Sequence, residues 1–481
     1  MSGHEGIAPV MFAMLAIMLL TGFPVAFALA ANGLLFAFIG IEMGWLQPAL
    51  MQALPQRLLG IMSNQVLLAI PFFTFMGIVL ERSGMAEDLL DTVGQLFGKV
   101  RGGIAYAVIF VGALLAATTG VVAASVIAMG LISLPIMLRY GYDKRIATGV
   151  ICASGTLAQI IPPSLVLIVL ADVLGASVGD MYAGAVVPSM VLVLMLVGFI
   201  FLTSMVRPSF VPALPEEART MRGAALYQHA LFVMVPPLVL IFLVLGTIFM
   251  GIATPTEGGA LGAVGALVLA FTRRRLSKRV LHEAMDQSAR LTIFVMFILI
   301  GSTIFALTFR AVDGDLWVEH LFSLVPGGVW GFIIVVNLIV FGLGFFIDFF
   351  EIAFILLPLI GPVAQKMGID MIWFAIMIGM NLQTSFLTPP FGFALFYLRS
   401  VAPKNVTTAD IYRGVVPYII VQLIALVVVI AWPGSVRLLS ADDKKVDSTN
   451  IKIELQDSDD PAKGGDPNEE MMKMLRQEQK K

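Results

Sequence analysis

Ser154-Gly155-Thr156-Leu157-Ala158-Gln159-Ile160-Ile161-Pro162-Pro163-Ser164 is the stretch whose reading decides the fold. Apolar sequence flanks it at residues 146–153 and 165–174, so it reads as part of a membrane helix. A continuous helix does not survive there. Pro162 and Pro163 each remove a backbone donor and clash with the preceding turn. Pro162 also disfavours the helical region for Ile161. Irregular backbone at membrane depth is tolerated only where protein or a water-filled cavity covers it. The pattern recurs as Thr384-Ser385-Phe386-Leu387-Thr388-Pro389-Pro390-Phe391-Gly392. Two broken helices in corresponding places are the best sequence pointer to a transporter's binding site.

The chain is 59% hydrophobic and 13% charged, whereas an ordinary soluble domain is about a quarter charged. Many apolar runs approach the roughly 20 residues that cross a bilayer. This is the composition of an all-α polytopic membrane protein. A β-barrel is excluded because the runs are continuous rather than alternating. The lone Cys152 rules out an intrachain disulfide and a cysteine metal cluster. The four His residues show no ligand spacing, so no transition-metal site is indicated. No phosphate-binding loop or nucleophile elbow occurs, which removes support for ATP-driven transport and for an enzyme. Nothing points to nucleic acid. Residues 1–8 carry no Lys or Arg and do not read as a secretory signal.

In order, residues 9–41 read as one long bent helix or as a short segment followed by a full span. Residues 42–63 read as a loop, 66–80 as a span and 81–103 as an amphipathic segment with Met85, Leu89, Leu90, Val93 and Phe97 at helical spacing. Residues 104–119 and 121–138 meet at Thr118-Thr119-Gly120, as one span, two spans or a re-entrant hairpin. After the broken helix comes a span at 183–205, then a polar, proline-containing linker at 207–229. The second half brings spans at 230–250 and 253–271, a basic loop at 272–290 and a span at 291–307. It continues with an arm at 311–328, a second hairpin candidate around Ile347-Asp348-Phe349, the second broken helix and a span at 411–432. The divisions are a first repeat at 1–206, the linker at 207–229, a second repeat at 230–433 and a charged, disordered tail at 434–481.

The repeat is legible in landmarks. Gly141 and Asp143 become Gly368 and Asp370 on adding 227. Pro162-Pro163 becomes Pro389-Pro390, and Pro135 becomes Pro362, at the same offset. Phe23-Pro24 aligns with Thr254-Pro255 at 231. Charge then sets the relative direction. The turn after the first hairpin carries Arg139, Lys144 and Arg145, but its counterpart has only Lys366. Positive-inside bias therefore places equivalent loops on opposite sides. The expectation is an inverted repeat with residues 81–103, 139–145, 207–229, 272–290 and 399–413 cytoplasmic. That assignment closes only if both hairpins are re-entrant, and it puts both termini outside.

Each half thus brings a hairpin tip to a helix break. The candidate sodium ligands are Thr118, Thr119, Gly120, Ser125, Ser154, Gly155 and Thr156 in the first half, and Asp348, Thr384, Ser385 and Thr388 in the second. Hydroxyl and carbonyl oxygens with few charges suit a weakly held monovalent cation. Half-helix N-termini suit a carboxylate. Ser164, Glu351, Asn381 and Gln383 are the substrate candidates. For each hydroxyl the plainer reading is a back-bond to its own helix. A mid-membrane carboxylate such as Asp348 costs about 2.5–3.5 kcal/mol even on the mild insertion scale, so it needs a partner or a cation. Glu257 reads more simply as a complement to its helix dipole.

Gly22-Phe23-Pro24-Val25-Ala26, Gly141-Tyr142-Asp143, Ile161-Pro162-Pro163-Ser164, Ala253-Thr254-Pro255-Thr256-Glu257 and Thr388-Pro389-Pro390-Phe391-Gly392 resemble motifs of one family. It is the large membrane (M, DctM-like) subunit of tripartite ATP-independent periplasmic (TRAP) transporters, and the resemblance covers residues 9–432. The resemblance implies an elevator carrier of the bacterial inner membrane with two Na⁺ sites in a moving domain and no other cofactor. It implies a small four-helix Q subunit, a periplasmic substrate-binding (P) protein and an organic-acid substrate. One departure is the first tip, Thr118-Thr119-Gly120, where the family commonly reads Ser-Gly-Ser. The expected function is sodium-coupled import of an organic acid. The alternatives are a partner-independent carboxylate carrier or antiporter of the same fold, and a non-transporting membrane anchor.

Overall fold

A computed structural model describes residues 6–219 and 221–439. The expected tail from residue 440 onward lies outside the described residues. The first half holds α1 (Ile7–Leu20), α2 (Val25–Glu42), α3 (Ala49–Met62), α4 (Ala69–Arg82), α5 (Met85–Leu96), α6 (Gly103–Thr119), α7 (Val122–Arg139), α8 (Lys144–Thr156), α9 (Leu165–Leu174) and α10 (Val178–Val206). The second holds α11 (Ala224–Phe249), α12 (Pro255–Thr272), α13 (Lys278–Ala311), α14 (Gly314–Ser323), α15 (Gly328–Leu343), α16 (Phe349–Ile355), α17 (Leu357–Lys366), α18 (Met371–Ser385), α19 (Phe393–Val401) and α20 (Thr408–Ala431). Among the described residues seven helices are long and apolar enough to cross a membrane, or up to nine if each of two bent pairs is one span. The chain is a polytopic, all-helical membrane protein.

Local chemistry fixes the helix ends. The Asp143 carboxylate accepts from Arg145 N at 2.9 Å and starts α8; Asp370 accepts from Ile372 N at 2.9 Å and starts α18. These starts lie 227 residues apart, as do those of α7 and α16. Such a cap satisfies one or two of the four free backbone donors at a helix start. Glu257 forms a capping box with Thr254, accepting from Thr254 N at 2.7 Å. Its cap role is therefore structural. Gly120, at φ +60°, ends α6 in the left-handed conformation that suits a tight hairpin tip.

The helix boundaries correct four expectations. Residues 42–63 are not a plain loop, since α3 fills most of them, opening after Pro48. No residue of α3 is buried, so its sequence lacks the apolar stripe that marks a helix. The basic loop 272–290 and the span 291–307 are largely one helix, α13. Its first turns leave the apolar region and are stitched by Arg279–Glu283 at 2.7 Å and Arg290–Asp286 at 2.8 Å. The linker 207–229 gives its last residues to α11 and buries Val211. The tail does not begin at 434, because Pro433–Val436 forms a helical turn that buries Val436, and Arg437 pairs with Asp370 at 2.6 Å.

Packing is reciprocal between the halves. Helix α2 packs on α13 and α12 packs on α4. Small residues permit it: a Cβ on Gly33 would lie 2.9 Å from the Ile304 carbonyl carbon, and one on Gly301 would strike the Ala26 carbonyl oxygen. Thr308 Oγ1 then donates to Gly33 O at 2.9 Å. Across the other pair, a Cβ on Gly262 would meet Met76 Sδ at 2.5 Å. In lipid, where apolar burial gives no drive, such close backbone approach is a main source of association.

Hydrogen bonds collect the loops into two groups. In the first, Gly102 N donates to Val211 O (2.9 Å) and Leu214 N to Gly98 O (3.0 Å). Asp143 N donates to Phe210 O (3.0 Å), Lys144 Nζ to Asn405 O (2.6 Å), and Arg275 pairs with Asp88 at 3.6 Å. These contacts join all five basic segments named above. In the second group, Asn64 donates to Asp172 (2.7 Å), Thr256 to Gln65 O (2.5 Å), Lys366 pairs with Glu319 and Arg437 with Asp370. Helices α10, α11, α12, α13 and α20 each run from one group to the other. Both ends of the α6–α7 hairpin lie in the basic group, while both ends of α15–α17 lie in the opposite one.

Gly301→Leu should lower stability by about 1–3 kcal/mol through overpacking, read as a drop in melting temperature of detergent-purified protein. Gly60→Leu, where a Cβ meets nothing within 4 Å, should leave the melting temperature unchanged or higher. Equal melting of both variants would show that the α2–α13 approach is not tight.

Candidate functional site

The first break is wrapped by the α6–α7 hairpin. A Cβ on Gly112 of α6 would meet Ser154 Cβ at 2.6 Å, and one on Gly155 would meet Val126 N at 3.2 Å. The hairpin tip abuts the far side of the break, with a Gly120 Cβ 3.3 Å from Leu165 N. The structure therefore sets Ser154 and Gly155 against the body of the hairpin and Gly120 against the far side of the break. Ser125 is buried in the first turn of α7 beside Val126. The Thr119 side chain lies outside the described residues. Pro162-Pro163 is a cis peptide, as is Pro389-Pro390.

The second break meets the tip of the other hairpin. A Cβ on Gly344, at the end of α15, would strike Ser385. The Phe346 and Phe391 rings lie 5.2 Å apart. Asn381 Nδ2 donates to Asn337 O (2.8 Å) and Asn337 Oδ1 (2.7 Å), tying α18 to α15. Asp348 caps α16, its Oδ1 accepting from Phe349 N at 2.7 Å. Glu351 accepts from Asp348 N at 3.3 Å, so the two carboxylates form a box at the tip.

Six of the candidate hydroxyls follow the plainer rule, while Ser164 bonds back across the break. Thr118 donates to Leu115 O (3.0 Å), Ser154 to Ile151 O (3.1 Å) and Thr156 to Ala153 O (2.9 Å). Thr384 donates to Met380 O (2.9 Å), Ser385 to Leu382 O (2.8 Å) and Thr388 to Thr384 O (2.8 Å). Ser164 donates to Gln159 O at 2.8 Å and caps α9. Back-bonding uses the proton and leaves oxygen lone pairs as acceptors, which is what a cation requires. Among the described residues no donor reaches the carbonyl oxygens of Ile160, Ile161, Pro162 or Pro163, nor those of Leu387, Pro389 and Phe391. An oxygen-rich, weakly charged donor set of this kind fits Na⁺.

Buried amides supply the rest. Both side-chain polar atoms of Gln383 are buried without a partner, and so are Oε1 of Gln159, Oε1 of Gln422 and Oδ1 of Asn381. Gln422 Nε2 donates to Thr156 Oγ1 at 3.1 Å, linking α20 to the first break. Native proteins rarely leave such groups unpaired, so a polar ligand at the breaks is the economical reading. Glu351 lines a separate cavity of about 360 Å³ between α1 and α16, where Phe12, Leu19, Phe346 and Ile352 make an apolar wall. It is the one charged residue there, and a carboxylate repels an organic anion. Gln159, Asn337 and Gln422 were not singled out from sequence, although each is polar within an apolar run, the signal that marks intramembrane sites.

The family model described as "Tripartite ATP-independent periplasmic transporter, DctM component" matches residues 12–435. The C4-dicarboxylate TRAP transporter large permease protein DctM of Pseudomonas aeruginosa is 33% identical over 394 residues, covering 80% of this chain and 89% of that one. The sialic acid TRAP transporter permease protein SiaT of Haemophilus influenzae is 25% identical over 413 residues, covering 83% of this chain and 66% of that one. The fold is similar to that of the Alcanivorax borkumensis YdaH transporter, with TM-score 0.61 at 14% identity, covering 91% of this chain and 100% of that one.

Gln383→Leu should leave the melting temperature unchanged or raise it, because it removes a buried amide that has no partner. Asn381→Leu breaks two bonds and should cost about 1–3 kcal/mol. A Gln383→Leu variant that melts well below wild type would show that its amide is paired within the protein.

Proposed function

The chain belongs to the DctM component family of tripartite ATP-independent periplasmic transporters, and on that premise we propose that it imports an organic acid, coupled to Na⁺, by an elevator motion. It is a permease subunit, not an enzyme. The observation that carries the proposal is the pairing of each hairpin tip with a broken helix that presents unpaired carbonyl oxygens, back-bonded hydroxyls and buried amides. Two relatives are named for carboxylic acids, a C4-dicarboxylate and sialic acid, which supports the substrate class. The half-helix N-terminus at Phe393 and the amide of Gln383 would face the carboxylate, and the break oxygens would face the cation.

The elevator reading assigns α2, α4, α12 and α13 to a fixed scaffold. Their glycine-mediated contacts are among the tightest in the chain. The two hairpins and two broken helices form the moving body. Loop grouping supports an inverted arrangement, since the first hairpin opens on the basic face and the second on the opposite face. With the basic face in the cytoplasm, import runs across the bacterial inner membrane toward it. Family membership supplies the partners, a four-helix Q subunit and a periplasmic binding protein. Two Na⁺ entering with one monoanion would carry net charge +1 and gain roughly 2.3 kcal/mol per 100 mV.

Uptake of a carboxylic acid into proteoliposomes with both partners should follow an imposed Na⁺ gradient and ignore a proton gradient; indifference to sodium would sink the coupling. Asp348→Asn keeps a capping oxygen while removing the charge. It should raise the half-saturating sodium concentration about tenfold, a factor worth about 1.4 kcal/mol. An unchanged sodium dependence would remove Asp348 from the site. Orientation has its own readout. In a Cys152→Ser background, an impermeant maleimide should label Lys366→Cys from outside whole cells and Arg139→Cys only after permeabilisation. Labelling of both from one side would refute the inverted arrangement.

A further inference from the structure

A second concavity lies away from the breaks, on the basic face. It occupies about 570 Å³ between α6, α10 and the end of α5, lined by Phe97, Tyr106, Phe110, Val197, Gly198 and Phe201 among others. Its lining is almost wholly apolar. Gly198 leaves it deep, since a Cβ there would meet nothing within 4 Å. At one end the loop after α5 closes against α10, with a Gly102 Cβ 2.9 Å from Ile200 Cγ2. That loop also carries Lys99 and Arg101, both exposed, while Arg207 follows the last turn of α10. Arg207 sits over the Phe210 ring at 5.2 Å. Among the described residues none of these three cations belongs to an ion pair. Some other cations of the same face are paired, including Arg82, Arg273, Arg275 and Arg279, while Arg139, Arg274 and Lys278 are likewise outside the ion pairs of the described residues. What sets Lys99, Arg101 and Arg207 apart is their place beside the groove.

We propose that this groove holds an acyl chain of an anionic phospholipid whose phosphate sits against Lys99, Arg101 and Arg207. Three arguments point to one occupant. The groove opens on the flank of a membrane protein, where the surrounding medium is hydrocarbon. Its mouth lies at the face where basic residues gather, and basic clusters at that depth attract anionic headgroups. Among the described residues the three exposed cations are held by no protein carboxylate, which leaves them available to a phosphate at that mouth. The proposal rests on the membrane reading of this chain and not on the coupling ion or the substrate. Its test reads lipid retention, so its failure would leave the transport reading untouched.

The experiment is native mass spectrometry of the full chain, purified in detergent and offered phosphatidylglycerol or phosphatidylcholine of the same acyl length. Wild type should retain phosphatidylglycerol in preference to phosphatidylcholine. The triple variant Lys99→Gln/Arg101→Gln/Arg207→Gln should lose at least about tenfold of that retention and the preference with it. Gly198→Leu should fill the groove and reduce retention of both lipids, while its melting temperature reports an intact fold, because leucine favours the helix over glycine. Equal retention of the two lipids by wild type would overturn the proposal. So would unchanged phosphatidylglycerol retention in the triple variant, or a dimeric mass that Gly198→Leu abolishes, which would assign the groove to a second copy.

Discussion

A backbone group inside a bilayer has no water to turn to, and the fold is arranged around two places where that rule is strained. Prolines interrupt the helix between Thr156 and Leu165 and again between Ser385 and Phe393. Such interruptions persist only under protein cover. The cover is a hairpin in each half, and the fit is close enough to demand glycine at Gly112, Gly155 and Gly120 in the first half and at Gly344 in the second. A hairpin that stops at a break must return to the face it left. Its two ends are then joined on that face, as Gly102 and Asp143 are through the 207–229 segment.

The cover is incomplete in a chemically informative way. Hydroxyls around the breaks spend their protons on carbonyls of their own helices, which costs no ligand capacity on the oxygen side. Structural and functional readings of Ser154 or Thr384 are therefore the same geometry seen from two sides. Amides discriminate better. Asn381 is held by Asn337 and serves the α15–α18 contact. Gln383, two residues on, has neither polar atom paired. A buried amide in that state costs free energy unless a ligand offsets it.

The parts legible in the sequence were those where backbone chemistry is local. Asp143, Asp370 and the two proline pairs announce caps and breaks without reference to anything distant. The amphipathic spacing of Met85, Leu89, Leu90 and Val93 was legible because one face of α5 is buried. Hydropathy marks where lipid stops, not where a helix stops, so the charged start of α13 at Lys278 reads as a loop in the sequence. Helix α3 offers no buried face to impose a period. Gln422 and Asn337 acquire meaning only from partners 266 and 44 residues away, Thr156 and Asn381. The docking of Arg437 on Asp370 likewise spans 67 residues, and composition alone reads that segment as tail.

The two halves share their landmarks but not their state. Residues Ile160, Pro162, Pro163 and Ser164 at the first break are buried, whereas Pro390 and Phe391 at the second are exposed. The open edge has a direction. Tyr412, near the start of α20, donates to Pro390 O at 2.8 Å, and that end of α20 belongs with the basic loops through Asn405. The second break is therefore uncovered toward the basic face, while the first is sealed. On the proposed elevator reading, this is the edge at which the second site would open to the cytoplasm. A symmetric scaffold cannot prefer one side by itself, so the preference must come from what differs between the halves. The clearest difference is the interruption between α3 and α4, which the second half replaces with the unbroken α13. Asn64 and Gln65 in that interruption bond to Asp172 on α9 and Thr256 on α12. One short gap therefore touches both a scaffold helix and the far end of the first broken helix.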